Sequence, residues 1–349
     1  LDRVPIKKVI VSAMLLCIFG TFGLSLAPNL AVASMAHFVS GIGNAFCFLS
    51  LVMLISTWFP QAKHASMIGM VITIGMVGGF VAQSPFSALA GALSWRGALM
   101  VDALIGVGIL SLVLLFVHDK EGRTVQDRMS IKQFFSNFRA CLTSRQNITC
   151  GLYTCFMNMP LMIIGAVYGS LFLTQTHALS LTQASFVISM ICVGTIIGSP
   201  IFGFLGDRVK SKKGLMMVSS LASVAVFYFI TNGASSTLPA LIGVFLLLGF
   251  VTSAQVLGYP LITESAPSHL VGTSMGVSAV IIMGLPMFIG PISGSIMDRM
   301  SFTDVMGVTH FPLESFHTAF LVFPIGFFLS FLLTFLMREK QESVTAVAS

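Results

Sequence analysis

The chain carries a succession of apolar runs, most of them about twenty residues or longer and nearly free of charge, separated by short polar connections. A run of that length crosses the hydrocarbon of a bilayer as a helix, and a backbone in lipid must satisfy its own hydrogen bonds, which leaves only helices or closed barrels. Barrel strands would be about ten residues long and alternate in polarity, and these runs do neither. Ten candidate helices follow, at roughly 9–28, 31–57, 65–90, 97–117, 148–173, 184–206, 214–231, 238–262, 272–297 and 317–337. The expected fold class is therefore all-α integral membrane. Charge content decides against a soluble alternative: 9% of the residues are charged, against about 25% in soluble domains.

The net charge of +6 is no nucleic-acid footprint, because the basic residues sit in short loops beside the apolar runs. Their distribution sets the topology. Loops at 1–8, 58–64, 118–147, 207–213, 263–271 and 338–349 hold 16 of the 18 lysines and arginines, and the opposite loops hold only Arg96 and Arg299. The first set is expected to be cytoplasmic, with the C-terminus inside. One connection is long: residues 118–147 form a polar, basic linker, within which 131–138 reads as an amphipathic helix on the membrane surface. The cysteines show no ligand spacing, and Cys17, Cys47, Cys155 and Cys192 lie in apolar runs as packing residues.

An internal repeat runs through the chain. Asp2-Arg3-Val4 is followed by Lys7-Lys8, and Asp207-Arg208-Val209 by Lys212-Lys213, so D-R-V-x-x-K-K recurs after 205 residues. Met67-Ile68-Gly69 parallels Ser274-Met275-Gly276, and Pro85 parallels Pro291. With Gly203, the second copy resembles the loop signature of the major facilitator superfamily, roughly G-x-x-x-D-R-x-G-R-R/K between the second and third helix of each six-helix half. It departs at Lys210, where the family has glycine, and the first copy has Pro5 there. The resemblance implies two six-helix pseudo-repeats in a twelve-helix parent. In the second half about 59 residues precede the repeated aspartate and in the first only one, so helices 3 to 12 are expected here and two more upstream. The expected divisions are 1–117 for the first half, 118–147 for the linker and 148–349 for the second half.

The run from Ala36 to Ala45 is similar to the superfamily's fourth-helix pattern, R-x-x-Q-G-x-G-x-A: Gly41, Gly43 and Ala45 match, while His37 stands for the arginine and Ser40 for the glutamine. The antiporter pattern G-P-x-x-G-G is poorly met at Ser84-Pro85-Phe86-Ser87-Ala88. In the family, the first helix of each three-helix unit lines the central cavity, which here implies 31–57, 148–173 and 238–262.

Charge at bilayer depth is costly and marks function, and His37, roughly 10 Å inside its helix, is the candidate proton carrier; the bland reading is a neutral imidazole bonded to a neighbouring helix. The expected substrate-binding residues are His37 and Asn44, which share a face, with Gln83, Tyr153, Asn158, and Thr252, Gln255 and Tyr259 at i, i+3 and i+7. Each has the competing reading of a plain interhelical hydrogen bond. Tyr168 is a further candidate. Pro85, Pro160, Pro286 and Pro291 are expected to interrupt helices. Asp2, Arg3, Gly203, Asp207 and Arg208 form the expected cytoplasmic gate, as the resemblance implies. Asp102 is expected to pair with Arg96. Glu264 is expected at the cytoplasmic rim, and His310, Glu314 and His317 in solvent.

The expected function is a secondary active transporter working by alternating access in a bacterial inner membrane. It moves a small organic solute (amino acid, nucleoside or organic acid), with protons as the coupling ion by family resemblance. A drug or metabolite efflux antiporter is the rival of the same class, and a membrane sensor that does not transport is the rival of another. No nucleotide-binding loop, H-E-x-x-H or paired carboxylate occurs, so no enzyme, no cofactor and no metal site is expected. The partners are the solute, protons and lipid, with no nucleic acid, and a monomer is expected.

Overall fold

The computed structural model describes residues 6–58, 64–118, 131–209, 211–232, 237–267, 270–303 and 309–339. Among the described residues the elements are helices, apart from short connections and one antiparallel pair of two-residue strands. The chain divides into two compact units, residues 1–75 with 85–129, and 76–84 with 130–349.

The first unit holds α1 (Ile6–Ser25), α2 (Leu30–Trp58) and most of α3 (His64–Phe116). Asn29 starts α2, its Oδ1 accepting from Val32 N at 3.0 Å, one of the N–H groups a helix start leaves unpaired. Small residues let α1 and α2 approach closely. A Cβ on Gly20 would meet Ser40 and the Ala36 carbonyl at 2.6–2.7 Å, and one on Gly43 would meet the Ala13 carbonyl and Cys17 at 2.5–2.7 Å. The second part of α3 runs back along α1. Arg96 Nη2 donates to Ala27 O at 3.1 Å, Gly106 faces Ile18, and Lys7 Nζ donates to Leu114 O at 2.8 Å.

The third and fourth expected helices appear as the single stretch α3, broken at Ser94 (φ 69°, ψ 161°). Nine stretches of the described residues are long and apolar enough to span, and Thr73–Ala82 adds a shorter apolar helix. Arg96 does not pair with Asp102. Six residues place the two on different faces of a helix, and Arg96 lies over the Trp95 ring at 4.1 Å instead.

The second unit contains α4 (Ile131–Thr143), α5 (Arg145–Met159), a π-helical stretch (Pro160–Tyr168), α6 (Gly169–Thr176), α7 (Leu181–Arg208), α8 (Lys212–Asn232), α9 (Leu238–Thr252), a 3₁₀ stretch (Ser253–Leu257), α10 (Gly258–Ser265), α11 (Val271–Met300), α12 (Leu313–Phe320) and α13 (Val322–Leu336). Ser180 and Gln183 form a reciprocal capping box at the start of α7. An aromatic core joins α8 and α6 to α12 and α13: Phe227 packs edge-on against Phe320 and Phe327 and tilted against Phe323, and Phe172 edge-on against Phe316. Cys150 and Cys155 are fully buried packing residues. The helix expected at 131–138 runs on to Thr143. Its described part packs on α11, with Ser274 Oγ donating to buried Cys141 Sγ at 3.3 Å, so the linker helix is docked on the protein.

Between α11 and α12 the strands β1 (Phe302–Thr303) and β2 (Thr309–His310) pair antiparallel, Phe302 opposite His310. His310 stacks on Phe302, centroids 5.5 Å apart. His317, expected in solvent, has a buried Nε2 without a hydrogen-bond partner among the described residues, because the first turn of α12 is already folded into the core beside fully buried Phe316.

Candidate functional site

On α2 a packed stripe and an open polar stripe lie side by side. Ala36, Ser40, Gly43 and Cys47 recur at helical spacing and form its packed stripe; contacts with α1 are recorded at Ala36, Ser40 and Gly43, and Cys17 Sγ donates to Ser40 O at 3.6 Å. The adjacent stripe is His37, Gly41 and Asn44. Both polar residues are exposed, and a Cβ on Gly41 would meet nothing within 4 Å. Spacings of four and three residues keep these three on one face. The glycines of the fourth-helix pattern therefore divide their work: Gly43 serves packing, and Gly41 keeps a polar face bare.

In the second unit, the two helices expected to line a cavity are the two that depart from α geometry. Pro160 has no N–H to continue the α ladder, and from there the helix widens to π pairing. Gly169 N–H reaches Ile164 O, five residues back. A Cβ on Gly169 would sit 2.5 Å from that same carbonyl, so glycine closes the widened turn. Bulges of this kind concentrate at functional sites. The 3₁₀ stretch Ser253–Leu257 lies in the other helix and ends three residues before Pro260, whose missing N–H leaves the Val256 carbonyl without its α-helical donor. Pro85, Pro286 and Pro291, expected to break their helices, stay within continuous ones.

The two irregular helices meet. Thr154 Oγ1 donates to Gln255 O at 3.4 Å, and Gly258 admits Thr154 so closely that a Cβ would overlap its hydroxyl. One turn beyond Thr154 on α5 lies Asn158, 5% exposed and without a side-chain hydrogen bond among the described residues. Gln255 and Tyr259 are half-buried.

Two candidates are turned to structural work. Tyr153 is fully buried, its hydroxyl donating to Met216 O at 3.4 Å, which ties α5 to α8. Thr252 is 3% exposed and its hydroxyl returns to its own helix, at Leu248 O (2.8 Å). The stripe Thr252–Gln255–Tyr259 assumed a uniform α pitch. The 3₁₀ stretch turns about 120° per residue rather than about 100°, so Tyr259 leaves the face of Thr252. Tyr168 is half-buried and donates to Gly290 O on α11 at 3.0 Å.

The side chains of Gln83, Asp207 and Glu264, and the whole of Asp2 and Arg3, lie outside the described residues. Of the expected gate, Gly203 faces open space and Arg208 is exposed, its guanidinium 4.0 Å from the Phe204 ring. A cavity of about 410 Å³ lies elsewhere in the second unit, at the end opposite the start of α8. Phe172, Gln175, His177, Asn232, Phe311 and Leu313 are among its walls. Gln175 accepts from Phe311 N at 2.7 Å and fixes the hairpin's exit, and burial lowers the His177 pKa below its ordinary value. Sequence reasoning missed this cavity, since its walls come from three distant segments.

The sequence profile of the Major Facilitator Superfamily matches residues 1–291 and again 150–348. The hexuronate transporter of Bacillus subtilis (strain 168) is 24% identical over 313 residues, covering 85% of this chain and 74% of that protein. Monocarboxylate transporter 12 of Mus musculus is 24% identical over 293 residues, covering 74% of this chain; the chain spans 59% of that relative's length. Among solved structures, a bacterial homolog to the human lysosomal transporter Spinster, inward-facing and occupied, superposes with a TM-score of 0.69 at 16% identity, covering 94% of this chain and 82% of that one.

Proposed function

The chain belongs to the Major Facilitator Superfamily, and from that premise we propose that it is a secondary active transporter for a small organic acid, coupled to protons and working by alternating access in a bacterial inner membrane. Of the three solute classes its sequence suggests, the organic acid is favoured by one observation. The hexuronate and monocarboxylate transporters match along 85% and 74% of the chain, and both are named for carboxylates. Matches to efflux proteins are shorter: the multidrug resistance protein Stp of Mycobacterium tuberculosis covers 29% of the chain.

The open stripe on α2 supports this reading. A carboxylate needs a partner cation, and an imidazolium supplies one only after taking a proton. Protonated His37 would pair with the anion while Asn44 donates beside it, so solute and proton would bind together. Asn158 and Gln255, at the meeting of the two irregular helices, supply neutral donors and acceptors. Helices interrupted at depth offer backbone groups that regular helices keep paired. The basic loops face the cytoplasm on this reading, and the protein acts as a monomer without a cofactor.

The test is solute flux into liposomes that hold a trapped pH dye. Monocarboxylates, hexuronates, amino acids, nucleosides and cationic dyes are added singly to purified full-length protein. Acidification of the lumen with a carboxylate establishes symport. Proton movement only with cationic dyes, opposite in sense to the solute, makes the protein an efflux antiporter. Silence with every solute, with radiolabelled uptake also absent, overturns transport in favour of a sensor.

A further inference from the structure

The basic residues of the repeated element do more here than border a membrane segment. In the second unit Lys213 Nζ donates to Met337 O at 2.8 Å, and in the first Lys7 Nζ donates to Leu114 O at 2.8 Å. Each lysine belongs to the Lys-Lys pair of one D-R-V-x-x-K-K copy. Each acceptor stands at the C-terminal end of an apolar helix that closes its half of the chain: Leu114 in the last turn of α3, Met337 directly after α13. Carbonyls there lack intrahelical donors and form the negative end of the helix dipole.

The second unit adds to this contact. Met337 leaves α13 in an extended conformation (φ −74°, ψ 149°) and is 2% exposed, within the same core as Met216 of α8. The next residue pairs its backbone with Gln146 at the start of α5: Gln146 Nε2 donates to Arg338 O at 2.8 Å, and Arg338 N donates to Gln146 Oε1 at 2.9 Å. The Glu339 carboxylate then reaches the start of α8. Oε1 accepts from Lys213 N at 2.8 Å and Oε2 from Ser211 Oγ at 3.0 Å, and Ser211 Oγ itself accepts from Gly214 N at 3.4 Å. A carboxylate at this place satisfies unpaired N–H groups with charge-assisted bonds.

We propose that Gln146, Lys213 and Glu339 are positioning residues, and that Met337–Glu339 is a strap which stays closed through the transport cycle. It holds the start of α8, and with it the Lys212–Lys213 pair of the second element, against the first turn of α5 and the end of α13. In the first unit a similar contact, Lys7 Nζ to Leu114 O, comes from the other lysine of the pair. The flux consequence rests on the transporter reading, whereas the structural consequence does not.

Hydrogen–deuterium exchange of the purified protein tests the strap directly. Glu339→Ala should raise exchange at the Lys213 and Gly214 amides about tenfold or more, the loss expected for charge-assisted bonds. Glu339→Gln, which keeps an acceptor oxygen, should raise it less. The amides of Phe227–Ile230 at the far end of α8 should not change in either variant, which excludes general unfolding. In carboxylate flux, Glu339→Ala should lower the maximal rate at unchanged KM, and Glu339→Gln should restore most of it. Unchanged exchange at Lys213 in Glu339→Ala would overturn the strap. Faster transport in that variant would also overturn it, since the strap would then be a brake. If the unaltered protein carries no solute, exchange alone decides the strap, and the failure belongs to the transport reading.

Discussion

Gly249 of α9 lies against the backbone of Ile191 on α7 so closely that a Cβ on it would overlap the Ile191 carbonyl oxygen. The contact is reciprocal one turn along: a Cβ on Gly194 would collide with the Leu246 carbonyl and come within 2.7 Å of Phe250 N. Backbone cannot yield as a flexible side chain does. Gly194→Ala and Gly249→Ala should each destabilise the protein by about 1–3 kcal/mol, the usual range for an overpacked contact. Gly243→Ala, where nothing lies within 4 Å, should be neutral or mildly stabilising. Thermal unfolding in detergent of the three variants checks the contrast.

Ser94 holds φ 69° and ψ 161° at the break in α3, a region that only glycine occupies without strain of about 1–3 kcal/mol. Ser94→Gly should therefore raise the unfolding temperature despite losing the weak 3.5 Å contact from Gly97 N to Ser94 Oγ. Ser94→Val should lower it, because branching at Cβ worsens the clash. The ordering Gly above Ser above Val in a melting series is the check.

His177 is half-buried at the end of α6, with Thr176 Oγ1 2.7 Å from its Nδ1 and Phe172 edge-on to its ring. Burial lowers its pKa from the ordinary 6.5, so between the two values the unfolded chain binds more protons than the folded one. Its contribution to stability is complete above the unfolded value and is lost as pH falls through the folded one. Lowering pH from about 7 to about 5 should cost the unaltered protein more melting temperature than His177→Gln. Equal losses would mean that the ring titrates as it does in the unfolded chain.

His37 and Asn44 on the open stripe of α2 separate two roles. His37→Ala should remove the pH dependence of carboxylate uptake and lower its rate, whereas Asn44→Ala should raise KM about tenfold, the worth of one good hydrogen bond to a charged group, and keep the pH profile. Uptake with an intact pH profile in His37→Ala would remove the proton role from this residue.

Several features were legible without coordinates because each depends on a few neighbours along the chain. Run length set the helices, and the D-R-V-x-x-K-K copies exposed the duplication. Proline marked Pro160 as one of four possible breaks, but packing decided that Pro85, Pro286 and Pro291 stay inside continuous helices. The alternation on α2 was half legible: spacing put His37 beside Asn44 on one face, but only the neighbouring helix decided that Gly43 packs and Gly41 does not. Tyr153 and Thr252 read as site residues because a hydroxyl at depth needs a partner, and sequence cannot tell a solute from the carbonyls of Met216 and Leu248. The 3₁₀ turn at Ser253–Leu257 is marked locally only by Pro260, which takes the α-helical donor from Val256 O. The meeting of Thr154 with Gln255, and of Glu339 with Lys213, joins residues 101 and 126 positions apart. The sequence by itself determined the helices and the repeat. Tertiary structure alone decided which polar groups are spent on other helices and which remain open, because hydrogen-bond satisfaction in a membrane protein is settled by the partner that packing brings near.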